Sequence, residues 1–268
     1  MFVLLSLLIS FAILATIYRY AKIIEAKTER KYQLIVHLRE LVTLIRQHRT
    51  ATHYTLMFDQ KKSKQLDKVE VAMEECCLAL TDIAHVDNKP KYRVLHSNIK
   101  LLSRSWKKHS VSKNQIVHGK LIRQTLLLLN DILVAWLMDV NRDELEQEYR
   151  TLWQSVIDSL DCLTQLRLCI DSIESELGKQ RALHYCNQIH RKVNQLSLVG
   201  PLSIPSPMYS IAIGKIEALI EHPSVDLDKA FMYQLTSELS ELIFVNYDGI
   251  IKEMAEALYQ PIPNTVIV

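Results

Sequence analysis

Apolar residues recur three and four positions apart along almost the whole chain, the spacing of an amphipathic helix. In the first segment Leu34, Leu38, Leu41, Val42 and Ile45 share one face with charges opposite, which predicts a helix running on from the amino terminus through about residue 58. The polar stretch "DQKKSK" breaks it, and a second helix follows over 66–84. That helix ends in "HVDNKPK", where Pro90 disfavours helix at Lys89. "YRVLHSNIKLLSRSWKK" reads as a short third helix, and Ser112 is a cap for a fourth through "IVHGKLIRQTLLLLNDILVAWLMDV". Asn141 or Asp143 then starts a long fifth helix past Trp153, Val156, Leu160, Leu163 and Ile170, reaching Leu198. "VGPLSIPSP" is the clear loop, two more helices cover 208–221 and 227–259 with His222, Pro223 and Ser224 between them, and "QPIPNTVIV" reads as a loose tail. The predicted class is all-α: an apolar amino-terminal helix followed by an up-and-down helical bundle, or by two stacked four-helix bundles sharing long helices.

The amino terminus changes this picture most. "MFVLLSLLISFAILATIY" carries no charge from Met1 to Tyr18, long enough as a helix to cross most of a hydrocarbon layer of about 30 Å. Tyr18 and Tyr20 suit the interface, and Arg19, Lys22, Lys27, Arg30 and Lys31 lie only on the far side. A secretory signal would place basic residues before the apolar run and a small-residue cleavage site after it, and neither is present. The expected organisation is a transmembrane anchor at 1–20, with residues 2–18 in the bilayer, a helical body at 21–259 and a tail at 260–268. Positive flanks stay inside, so the expected location is a single pass through the inner (cytoplasmic) membrane with the body in the cytoplasm. The run "LIRQTLLLLNDILVAWLM" is also apolar, but Arg123, Asn130 and Asp131 make it the centre of a bundle rather than a second span.

Composition excludes more than it assigns. Lys+Arg 32 against Asp+Glu 30 gives no basic field for nucleic acid, and 5 Gly with 7 Pro in 268 residues suit neither a strand-and-turn fold nor a Gly-rich phosphate loop. The five cysteines have no C-x-x-C spacing, which reads as buried thiols in a reducing compartment and supports neither disulfides nor a zinc site. Ten histidines include no H-E-x-x-H, and no Ser, His and acid set sits in a Gly-framed turn, so neither an enzyme nor a cofactor is expected.

The chemistry that stands out is charge in a core stripe. The face built by Leu38, Val42 and Ile45 continues at Arg49, with His53 four residues on. In the fifth segment Ile170, Ile173 and Leu177 lead to Arg181, with His184 three residues on. Two buried guanidiniums facing each other need carboxylates or an outside anion, and their planar forks of N–H donors suit a flat oxyanion. Arg46 and Lys179 lie within one turn of the two arginines, and Arg123 is a further candidate from the helical reading. The alternative is an internal salt bridge to Glu74, Glu75, Asp131, Asp158 or Asp161, or arginines that snorkel past the core.

At these residues a family likeness emerges. "LVTLIRQHRTATHYTL" resembles the opening motif of the nitrate- and nitrite-sensing (NIT) domain, in which an apolar helix leads into a Q-x-E-R-G-type signature. "ELGKQRALHY" resembles that family's second arginine-bearing helix, and "NQIVHGKLIRQTLLLLNDIL" the helix between them. The likeness implies an all-helical pair of bundles that binds nitrate or nitrite through Arg49 and Arg181 and signals occupancy onward. His48 stands where the signature has Glu, Thr50 where it has Gly, and His118 and Gly119 near its usual Tyr. No kinase, cyclase or RNA-binding module is expected after the proline loop, so the implied output is an unidentified signalling protein, with a homodimer left open. Two other readings compete: a ligand-free helical scaffold at the membrane, and a periplasmic ligand-binding bundle if the anchor is reversed.

Overall fold

The computed structural model describes residues 2–58, 64–199, 207–222 and 228–263. Among them all regular structure is helical: α1 (Phe2–Phe58), α2 (Lys64–Ile83), α3 (Lys89–Ser105), α4 (Val111–Asp139), α5 (Asp143–Cys169), α6 (Glu176–Val199), α7 (Pro207–Glu221) and α8 (Lys229–Leu258), with three short 3₁₀ turns. Most of "DQKKSK", residues 200–206 of the proline loop, the turn holding Pro223 and Ser224, and the last five residues of the tail lie outside the described residues.

α1 is one unbroken helix with two characters. From Phe2 to Ile24 its large apolar side chains are exposed, and this stretch is long and apolar enough to cross a membrane. From Tyr32 to His53 it is core, burying Leu34, Ile35, Leu38, Leu41, Val42 and Ile45. α4 meets the same test of length and hydropathy, but half of its apolar window is buried within the protein. Two helical layers follow from the packing. α1 packs on α2 and α4, with α3 closing the first bundle, while α5 to α8 form the second, joined where α4 meets α5. α1 and α4 run antiparallel, as Lys31 reaching Ala135 and Asp139 at one end and Thr52 reaching Asn114 at the other show.

Several boundaries differ from expectation, each for a local reason. α3 starts at Lys89, because Pro90 falls in its first turn, where an N–H has no helical partner to lose. Ser110, not Ser112, caps α4 by accepting from the Lys113 N–H, and Asp228 caps α8 through the Phe231 N–H. The long fifth helix is two helices. The chain leaves α5 at Cys169, turns through residues 170–175, and restarts under Ser175, whose hydroxyl accepts from the Gly178 N–H at 3.1 Å. Only glycine fits at 178, since a Cβ there would lie 1.9 Å from the Ser172 carbonyl oxygen. The tail also departs from a loose segment over 260–263. Ile262 is buried, and the carbonyls of Pro261 and Pro263 accept from Tyr32 Oη at 2.9 Å and Arg39 Nη1 at 3.3 Å.

Candidate functional site

The site lies where α1, α5 and α8 meet. On α1 a helical row places Arg46, Arg49 and His53 on one side; on α8 the matching row is Tyr233, Thr236, Ser240, Glu241 and Phe244; α5 contributes Arg167. Arg46 has a carboxylate partner, Glu241, and lies 4.2 Å over the Phe244 ring, while its buried Nε meets no hydrogen-bond partner. Arg49 has no carboxylate partner among the described residues. Its residue is 6% exposed, and its one side-chain hydrogen bond runs from Nη2 to Ser240 Oγ at 3.1 Å. Arg167 donates from Nη2 to the Thr236 carbonyl at 2.8 Å. Among the described residues no carboxylate lies within ion-pairing distance of Arg49 or Arg167.

The electrostatics follow from that shortfall. Burial, then Arg167, then Arg46 hold Arg49 well below the usual arginine range, with Glu241 only partly opposing them. Burial and Arg46 push Arg167 down to about 9. Arginine keeps its proton in proteins, so these shifts measure how strongly the site calls for negative charge. Three guanidiniums against the carboxylate of Glu241 leave two positive charges unmatched. His53 packs on the Tyr233 ring at 4.5 Å, and burial, Arg49 and Arg167 lower it to about 4, so it is neutral at physiological pH. Tyr233 donates to Asp171 Oδ1 at 3.2 Å.

Beside this cluster, on the first-bundle side of α1, runs a second polar layer built on His48, His118 and Glu70. His118 Nδ1 lies 2.7 Å from the Asn114 carbonyl, which can only accept, so its N–H sits on Nδ1 and Nε2 accepts from His48 Nδ1 at 2.8 Å. His48 Nε2 faces Glu70 at 3.3 Å, and Trp106 donates to the same Glu70 oxygen. Burial is the main cause that keeps the His118 ring from protonating.

The structure thus brings Arg49, Arg46 and His53 together and leaves the other candidates outside. Arg181 and His184 are exposed on α6, and Arg181 is not among the charges acting on Arg49. The stripe leading to Arg181 assumed one helix through residues 170–181; the turn there resets the helical phase and leaves Leu177 59% exposed. Arg123 pairs with Asp161 on the surface between α4 and α5. Arg167 was missed, although the signal was present: it fills the gap in the stripe Val156, Leu160, Leu163, Ile170, the same pattern that singled out Arg49. A separate cleft of about 640 Å³ opens elsewhere, lined by Lys27, Arg30, Lys31, Lys91 and Arg150 among others. Two of its lysines already pair with Asp139 and Asp131.

No family model, curated protein or solved structure matches this chain.

Proposed function

We propose that the chain is a membrane-anchored helical sensor that binds a small planar oxyanion, nitrate or nitrite, between α1, α5 and α8 and passes occupancy to a separate signalling protein. The observation that carries the reading is the buried guanidinium of Arg49 and the half-buried Arg167 beside it, which meet only a hydroxyl and a carbonyl. A monovalent flat anion would accept from both forks in its own plane and offset one of the two unmatched charges. In this reading Arg167 takes the place that the family likeness gives to Arg181. Glu241 holds Arg46 beside the site, and the planar guanidinium forks, rather than the charge count, favour a flat oxyanion over tetrahedral phosphate or sulfate. The apolar stretch 2–18 spans the bilayer, and the basic flank from Arg19 to Lys31 keeps the bundles on the cytoplasmic side. Signalling needs the anion to bind two arrangements of α1 against α8 unequally.

Calorimetry on the full chain in detergent, titrated with nitrate, nitrite and chloride, tests this. The expected result is binding of nitrate or nitrite and not chloride, lost in Arg49→Met and in Arg167→Met and kept in Arg181→Ala. No heat and no thermal stabilisation by either oxyanion would leave a helical scaffold at the membrane as the better reading.

A further inference from the structure

On another face of α1, away from the arginines, three metal-ligating side chains converge. His37 and Glu40 lie one turn apart on α1, and α2 brings Cys76 against them. The ligand atoms, one ring nitrogen of His37, a Glu40 carboxylate oxygen and Cys76 Sγ, all lie within 4.8 Å of one another. His37 Nδ1 and Glu40 Oε2 are 3.6 Å apart, too long for a hydrogen bond. Nδ1 is itself buried and has no hydrogen-bond partner, although a buried ring nitrogen ordinarily finds one. The thiol of Cys76 donates to the His37 carbonyl at 3.1 Å, which fixes its sulfur at the same spot.

We propose that His37, Glu40 and Cys76 form a zinc site that clips α1 to α2. One imidazole nitrogen, one thiolate and one carboxylate are a donor set for a borderline-soft divalent ion. Tetrahedral bonds of about 2.0 to 2.2 Å to nitrogen and oxygen place those two ligands about 3.4 Å apart, close to the separation already present. Glu40 has a side chain 51% exposed, so the fourth position opens to water. Binding forms the Zn–S bond as the Cys76 S–H bond breaks and its proton leaves to solvent; no electron changes hands. Thiolate and carboxylate together then neutralise the ion. Burial, then Glu40, raise the Cys76 thiol well above its ordinary range, so without a metal it is an inert S–H rather than a redox group. The vicinal Cys77 feels Glu74 and Lys100 instead, which makes it an internal control. The inference does not rest on the anion reading.

The test uses the untagged full chain in detergent, stripped with chelator and titrated with Zn²⁺ against a chromophoric competitor and with Co²⁺ in the near ultraviolet. A single equivalent of Zn²⁺ and a thiolate-to-cobalt charge-transfer band are expected. Cys76→Ser abolishes the band, Cys77→Ser preserves it, and His37→Gln and Glu40→Gln each weaken Zn²⁺ at least about tenfold. Glu40→Gln sits at the surface, and unchanged circular dichroism identifies its loss as one of coordination rather than folding. Absence of the band in the wild type, its survival in Cys76→Ser, or its loss in Cys77→Ser overturns the proposal.

Discussion

Along the seam between α1 and α8 arginine is treated in two opposite ways. At one end Arg39 Nε meets Asp248 Oδ1 at 2.6 Å and Arg46 meets Glu241, so each guanidinium has its carboxylate. One residue further along α8 the carboxylate gives way to a hydroxyl, and Arg49 finds Ser240. The three arginines come from one helix face and are all largely buried, so burial alone does not mark a binding site. What distinguishes Arg49, and Arg167 beside it, is the missing acid.

The comparison can be broken by experiment. The largest effect is expected at the paired end: Asp248→Ala leaves Arg39, whose side chain is 5% exposed, without its carboxylate and should cost roughly 3 kcal/mol in chemical denaturation. A loss below about 1 kcal/mol would mean that the paired end is no more satisfied than the other. At the unpaired end pH should act on stability through His53. Its folded pKa of about 4 lies below the usual 6.5, so the unfolded chain binds more protons between these values. Stability therefore falls as pH drops from about 6.5 to about 4, by up to roughly 3 kcal/mol, and His53→Gln should flatten that slope. Nitrate at a hundred times its dissociation constant should stabilise the wild type by about 2.7 kcal/mol. Arg49→Met should remove that gain and, without anion, hold stability or raise it by up to about 2 kcal/mol, the reverse of Asp248→Ala. Smallest of all, Arg181→Ala and Arg123→Ala should stay within about 0.5 kcal/mol and leave the anion response intact.

How much of this could be read from the chain depends on what sets each feature. Helix class and most boundaries follow from apolar periodicity and caps, both local, as the Ser110 and Asp228 caps show. The break after Cys169 was hidden because Ile170, Ile173 and Leu177 keep helical spacing across it. Its signals were Ser175 as a cap and Gly178 where α6 crosses Ser172, and a close backbone approach is a tertiary fact. Arg49 was legible because its stripe is real throughout α1. Arg181 was not, because its stripe spans two helices. Arg167 shows the limit most directly: the pattern marks an arginine on a buried face, but whether an acid opposes it depends on α8, more than sixty residues away. The His48 and His118 layer belongs to the same class, since the two lie on different helices and only packing pairs them.

Seven residues separate Arg39 from Arg46, and seven separate Glu241 from Asp248. Two matched rulers laid side by side in this way lock. Sliding α1 by one turn, about 5.4 Å, would part both ion pairs at once, and only a slip of about 10.5 Å would remake one of them. The long helix is therefore poorly suited to act as a pushrod between its buried arginines and the apolar stretch about 44 Å up the same rod. Small tilts and rotations that the long arginine side chains can follow strain both pairs less than a slide of one turn does, which makes α1 a steering column.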